Sequence, residues 1–442
     1  MDILDLLLTP IYLAMFFLLA RRTVNNNAEN PIYGAYYIRG LMAKFGATIF
    51  FTLIYIYYYK GGDSLAFYYS VSPLYGLTFS QPEIYIRFLF GFQEYYPIEC
   101  LRYADEHGVM YLLRGSPTLT TIRIASVVNL VSFNSYIVLC LFFAYISFTF
   151  QWLAFKLVVS VRPQLHKAMS VSFLFIPSVL FWGSGVGKDS IMLGSILLAF
   201  YCFYSAVILK QNIVRNILLL LVTTYLITLI RGFMIFTLIP CCILMAVTYY
   251  RAVFKSTIVR VLAGPLLLVL GAGLSIFFVQ SLGNSVSSYS IDSLQQKAEG
   301  FKSWHSYLGE TQGGSAYSLG SDVEYTPVGI LKQAPMAIAI TLFGPFIWQV
   351  RNPVMLLSAL ESLLLLFYTL RALFNKRIYA LLGILISDHL VVFCLAFVFI
   401  LSIAVGITSF NYGALVRYRI PILPFFGMLL SLVSYRLGAR EE

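Results

Sequence analysis

The sequence predicts an all-α fold: a polytopic transmembrane helical bundle of about eleven spans. Three observations predict it. Hydrophobic residues make up 60% of the 442-residue chain and charged residues only 11%, whereas a soluble domain carries roughly 25% charged residues. The mean hydropathy of +0.82 is more apolar surface than a water-soluble fold can bury, but lipid solvates it. Finally, the basic residues recur in short clusters between apolar runs, the pattern by which membrane proteins set their orientation. The net charge of +11 therefore reads as topology, and no nucleic-acid partner is expected.

The apolar runs lie near 3–20, 40–59, 133–156, 167–183, 189–209, 214–230, 232–250, 258–281, 353–371, 383–407 and 419–436. Each approaches the ~20 residues a helix needs to cross the hydrocarbon. Asp2 and Asp5 stand before or within the first run, Arg21 and Arg22 follow it, and no small-x-small cleavage site is visible. It reads as a retained helix rather than a signal peptide. The segment 328–349 is apolar but carries Pro335 and Pro345, so a re-entrant or surface-lying piece is expected there. The stretch 378–387 is short enough to lie in the interface.

With the N-terminus outside, the inner loops hold Arg21 and Arg22; Lys156, Arg162 and Lys167; Lys210 and Arg215; Arg251, Lys255 and Arg260; Arg371, Lys376 and Arg377; and Arg436 and Arg440. Their acids are few: Glu29, Glu441 and Glu442. This positive-inside pattern puts the C-terminus in the cytoplasm and both large hydrophilic loops outside. Residues 1–442 then form a single membrane domain, with 60–132 as the first extracytoplasmic loop and 282–352 as the second. The first is rich in tyrosine and contains the amphipathic IYIRFLFGF (84–92), which suits a helix lying at the interface. No internal repeat supports an inverted-repeat transporter.

Chemistry-bearing residues are sparse. Cys140, Cys202, Cys241, Cys242 and Cys394, with Cys100, lack metal-ligand spacing and mostly sit in apolar runs, as inert buried thiols do. His107, His166, His305 and His389 are scattered, and HExxH, CxxC and GxSxG are absent. After the second span comes Lys60-Gly61-Gly62-Asp63-Ser64. Its glycines permit a tight turn and would present Asp63 at the mouth of the bundle, where a carboxylate can activate a hydroxyl or hold a metal. A polar turn ending a helix would look the same.

The run PSVLFWGSGVGKDS (177–190) has the wrong glycine spacing for a phosphate-binding loop, and Asp189 stands where Ser or Thr is required. What remains is an outer hairpin carrying Lys188 and Asp189, either functional or a turn with a local ion pair. Arg231 lies in an outer turn, against the positive-inside trend, either snorkelling or functional. In SFNYGALVRYRIPILPFF (409–426), Arg417 and Arg419 flank Tyr418 before the last span, and Pro421 and Pro424 shape its start. Two guanidiniums near a helix N-terminus suit a phosphate or pyrophosphate; the alternative is an interfacial anchor. Glu361 stands inside the ninth span, where it pairs with a polar neighbour or lines a cavity. Asp388-His389 is expected at the inner edge of the tenth span.

On GGDS and RYRIPILP the chain resembles the GT-C superfamily of polyprenyl-phosphate-dependent glycosyltransferases and the related bacterial O-antigen polymerases and ligases. The resemblance implies Asp63 as the catalytic acid of the first large loop and Arg417 and Arg419 as contacts to the lipid phosphate. Lys188 and Arg231 would be further phosphate contacts, with Ser64, Asp189 and Tyr418 in support. It implies transfer from a polyprenyl-(pyro)phosphate-linked saccharide donor to a saccharide or lipid acceptor outside a bacterial cytoplasmic membrane, and leaves a divalent cation open. The chain departs from the pattern in having one acid in GGDS where many members have a pair, an extra span before the first large loop, and no soluble C-terminal domain. Two other readings stay open: a transporter or flippase of an anionic lipid-linked saccharide, and a non-catalytic membrane assembly partner.

Overall fold

The computed structural model describes residues 3–91, 116–251, 300, 315–317, 327–374 and 388–438. Among these the fold is all α, apart from one isolated bridge between Ala316 and Asn411. In chain order the helices are α1 (Ile3–Asn25), α2 (Tyr33–Tyr59), α3 (Asp63–Ser80), α4 (Pro82–Phe90), α5 (Ser116–Ser132), α6 (Tyr136–Val161), α7 (His166–Ser170), α8 (Pro177–Trp182), α9 (Lys188–Ile208) and α10 (Ile213–Arg231). Then follow α11 (Phe233–Tyr250), α12 (Pro327–Phe343), α13 (Pro353–Leu373), α14 (His389–Ser409), α15 (Tyr412–Tyr418) and α16 (Ile422–Gly438).

Among the described residues eight helices, α1, α2, α6, α9, α10, α11, α13 and α14, are long and apolar enough to cross a membrane, and the bent pair α15–α16 makes a ninth if it counts as one span. The chain is an integral membrane protein. Two expected spans differ from this picture for separate reasons. The run 258–281 lies outside the described residues, as does 378–387. The run 167–183 is broken: α7 passes into a π-helical turn (Val171–Phe175), Ile176 is extended, and α8 restarts at Pro177. Proline lacks the N–H that would continue the helix and forces its predecessor out of the helical region. The last run is also bent, by 64° between α15 and α16, with Pro421 in the corner. The segment 328–349 gives the 17-residue α12, a single turn of 3-10 helix at Ile347–Gln349, and the Asn352 cap of α13.

The chain divides into two compact units. The first holds Met1–Ser160, Val179–Ala199 and Leu221–Arg231. Its core is aromatic: Phe51, Tyr55, Phe67, Tyr85, Phe88, Tyr136 and Phe143 pack with aliphatic side chains of α3, α5 and α6. Asp5 of α1 is buried and accepts from Ser135 Oγ (2.6 Å) and Ile137 N (3.4 Å), while Ser135 Oγ accepts from Val138 N (3.4 Å), so the two side chains cover two orphan N–H groups at the start of α6. Arg123 donates to the carbonyls of Phe88 and Gly91, both at 2.7 Å, closing the C-terminal end of α4.

The second unit holds Val161–Ser178, Phe200–Leu220 and Gly232–Glu442. In it α14 packs on α11, α12 and α16, burying Phe393, Phe397 and Phe425. Asp388, the N-cap of α14, accepts from Leu390 N (2.9 Å), Arg162 Nη2 (2.9 Å) and Arg436 Nη2 (2.5 Å). Burial opposes charge on Asp388, but the two guanidiniums outweigh it and hold its carboxyl below the ordinary carboxylate range.

Candidate functional site

In the first unit the GGDS turn and the GSGVGKDS hairpin both pack on α2 and α6. Helix α2 ends with Lys60 in the left-handed region, and Gly62 follows at φ +95°. A Cβ at Gly62 would be strained and would stand 3.1 Å from the Tyr55 ring, which is why glycine sits there. The turn delivers Asp63, exposed, to the first turn of α3, where the helix dipole favours a negative charge. Ser64 faces inward, 98% buried, and receives the Tyr136 hydroxyl at 2.9 Å. The hairpin packs on the same helices. Val186 N donates to Cys140 Sγ at 3.4 Å, Gly185 lies against the Phe51 ring, and Gly187 lies on Phe67. Any side chain at Gly185 would collide with that ring.

The hairpin then opens into α9, whose first residues carry charge. Lys188 Nζ donates to Thr118 Oγ1 at 2.9 Å. Asp189 and Arg231 form a buried ion pair at 2.5 Å. It joins the N-terminal end of α9 to the C-terminal end of α10, so each charge also meets the favourable end of its own helix dipole. Of the residues singled out from the sequence, Asp63, Ser64, Lys188, Asp189 and Arg231 thus belong to the first unit, and Asp189 and Arg231 touch directly.

Sequence reasoning passed over Lys44. It is fully buried in α2, and its Nζ donates to Val179 O at 3.3 Å beside Gly183, at the foot of the hairpin. No carboxylate lies within ion-pair distance of it among the described residues. The signal was present: one cation inside the apolar run 40–59.

Arg417, Tyr418 and Arg419 belong to the second unit. Arg417 and Tyr418 are half-buried at the end of α15. Arg419 is fully buried in the corner before α16. Its Nη1 donates to Gly344 O (2.5 Å), Ser362 Oγ (3.0 Å) and Thr341 O (3.3 Å), and its Nη2 lies 3.6 Å from Glu361 Oε1. Nε and Nη2 have no hydrogen-bond partner. Glu361 in turn accepts from Ser178 Oγ (2.6 Å) and Ser178 N (2.7 Å). That backbone N–H is one left open where Pro177 restarts the helix. One polar knot therefore ties α8, α12, α13 and the α15–α16 corner, deep in apolar surroundings.

Two cavities flank this knot along α13. Toward the N-terminal end, Met355 lines a cavity of ≈ 330 Å³ together with Tyr317, Trp348, Gln349, Arg351 and Tyr412. Toward the C-terminal end, Glu361, Leu365 and Arg371 line one of ≈ 740 Å³ with Val171, Phe175 and Leu430. Glu361 and Arg371 are separated by roughly 15 Å of helix. The Tyr412 ring, which lines the smaller cavity, covers Gly344, whose carbonyl holds Arg419, and the Glu361 carboxylate beside Arg419 lines the larger one. Among the described residues no group of three or more His, Cys, Asp or Glu side chains is placed to hold a metal ion.

Composition, helix lengths and these buried charges define the class: a polytopic helical membrane protein with ionisable residues held inside its spans. No family model matches the chain, and no curated protein or solved structure matches it.

Proposed function

We propose that this protein is a membrane glycosyltransferase or polysaccharide polymerase. It takes a saccharide from a polyprenyl-(pyro)phosphate carrier and passes it to a saccharide or lipid acceptor on the extracytoplasmic face of a bacterial cytoplasmic membrane. The observation that supports this reading is that GGDS and the GSGVGKDS hairpin pack on the same helices of the first unit. This packing gathers an exposed carboxylate, Asp63, and the cations Lys188 and Arg231 onto one framework. In the proposed reaction the acceptor oxygen bonds to the anomeric carbon as the bond from that carbon to the phosphate oxygen breaks. Asp63 takes the hydroxyl proton, and the phosphate leaves with its negative charge stabilised by the cations. Arg417 lies in the second unit and takes no part in this scheme. Arg419, committed to Gly344, Ser362 and Glu361, positions the corner that carries Arg417.

The test is transfer of a radiolabelled hexose from a polyprenyl-phosphate carrier by the purified chain. Asp63→Asn is expected to abolish transfer while leaving insertion and carrier binding intact. Full transfer by that variant removes the catalytic assignment.

A second reading, transport of an anionic lipid-linked saccharide, is favoured by a different observation. A buried ion pair sits on a helix that lines two cavities, and two nearby helices are broken at Pro177 and at the Pro421 corner. Broken helices and intramembrane charge are what a transporter uses. Movement of labelled carrier across proteoliposomes, undiminished in Asp63→Asn, would decide for transport.

A further inference from the structure

We infer that the 330 Å³ cavity at the start of α13 is a saccharide-binding subsite, built for one or two sugar residues and selective for an acidic unit. The inference deepens the transfer proposal and rests on it for its biological sense, but it is carried by the geometry of the second unit.

The walls are fixed from two directions. Residues 315–317, in the second large loop, pair with the start of α15. Tyr412 N donates to Ser315 O at 2.9 Å, Tyr317 N donates to Phe410 O at 3.1 Å, and the Tyr317 hydroxyl reaches Gly406 O at 2.9 Å. Opposite them, Gln349 Oε1 accepts from both the Tyr412 hydroxyl (2.5 Å) and Phe346 N (3.0 Å). Its oxygen is therefore committed, and the amide NH₂ is the group left to donate to a ligand.

Trp348 supplies an apolar platform. It is 80% exposed, and its ring stacks on Phe346 with centroids 4.9 Å apart and planes 3° from parallel. Among the described residues no other ring packs on it, so one indole face is braced and the other is open. A flat apolar face beside oriented polar groups fits a pyranose, whose C–H face packs on an aromatic ring while its rim hydroxyls hydrogen-bond. Arg351 on the same wall gives a carboxylate-bearing sugar a planar cationic partner. The cavity volume lies at the small end of ligand pockets, which limits the occupant to one or two rings. An interfacial tryptophan anchor needs only the indole at headgroup level. It does not need an amide fixed by two donors or a cavity beside it.

The experiment is saturation-transfer NMR on the detergent-solubilised full chain with glucose, N-acetylglucosamine, glucuronate and a glucuronate-containing disaccharide as probes. Saturation is expected on ring C–H protons, strongest for the acidic sugars. Trp348→Ala should weaken binding by about tenfold, and Trp348→Phe should retain most of it. Arg351→Gln should remove the preference for the acidic probes. No transfer to any probe, or equal binding by Trp348→Ala, overturns the inference and leaves Trp348 an interfacial anchor only. Asp63→Asn is expected to bind these sugars normally. Sugar binding with no Asp63-dependent transfer therefore sinks the transferase proposal alone, and Asp63-dependent transfer with no binding here sinks the subsite alone.

Discussion

Replacing Glu361 with Gln tests whether the second unit depends on a compensated charge inside the membrane. Gln keeps one oxygen to accept from Ser178 N, now on Oε2 at 2.7 Å, and sets its NH₂ against Ser178 Oγ, now 2.6 Å from Oε1, so the hydroxyl must turn from donor to acceptor as the charge is lost. The guanidinium lies 3.6 Å away. At an effective dielectric near 20, two unit charges at that distance attract by about 4–5 kcal/mol. Removing one member of a buried pair typically costs about 3–5 kcal/mol, because the other is left uncompensated. Arg419→Met should cost at least as much, since it also strips donors from Gly344 O, Thr341 O and Ser362 Oγ. The double variant should recover part of the loss, with a coupling of about 2–3 kcal/mol. Equilibrium unfolding in mixed micelles, run as a double-mutant cycle, measures all three. A coupling under about 0.5 kcal/mol, or a Glu361→Gln protein as stable as the parent, refutes the reasoning.

Two further outcomes follow from buried charge. Lys44→Met removes a buried amine that has one long bond to a carbonyl and keeps its volume; unfolding should show it more stable by on the order of 1–3 kcal/mol. A less stable variant would show the amine to be compensated after all. Asp388 has a folded-state carboxyl held below its ordinary 3.8, so its contribution to stability is complete above that value and lost as pH falls through the lower folded one. Stability measured from pH 6 downward should fall in that acid range, and Asp388→Asn should remove about 1–2 kcal/mol at pH 6 and flatten the acid limb; an unchanged acid limb contradicts the assignment.

The helical runs were legible because spanning is a local property: a stretch of ~20 apolar residues identifies itself without reference to any other part of the chain. That is why α1, α2, α6, α9, α10, α11, α13 and α14 fall where the runs lie. The breaks were half-legible, since Pro177 and Pro421 mark where a helix must stop but not what takes over the freed N–H. The partners of charged side chains were not legible. Arg419 read as a surface cation because its neighbours in sequence are a tyrosine, prolines and another arginine. Its neighbours in space are Glu361, Ser362 and Gly344, drawn from other helices. Trp348, Gln349 and Tyr412 carried no motif, because a cavity wall is assembled from short pieces of separate segments.

By itself, then, the sequence determined that the chain is a helical membrane protein, where most of its spans run and which turns carry charge. Hydropathy and proline act over a few residues, and the bilayer demands that backbone bonds close within each helix. Only the tertiary structure decided that Asp189 meets Arg231, that Glu361 meets Arg419 and that Lys44 has no acid beside it among the described residues. A charge in a low-dielectric interior is governed by whatever lies within a few ångströms, and packing, not sequence order, chooses those neighbours.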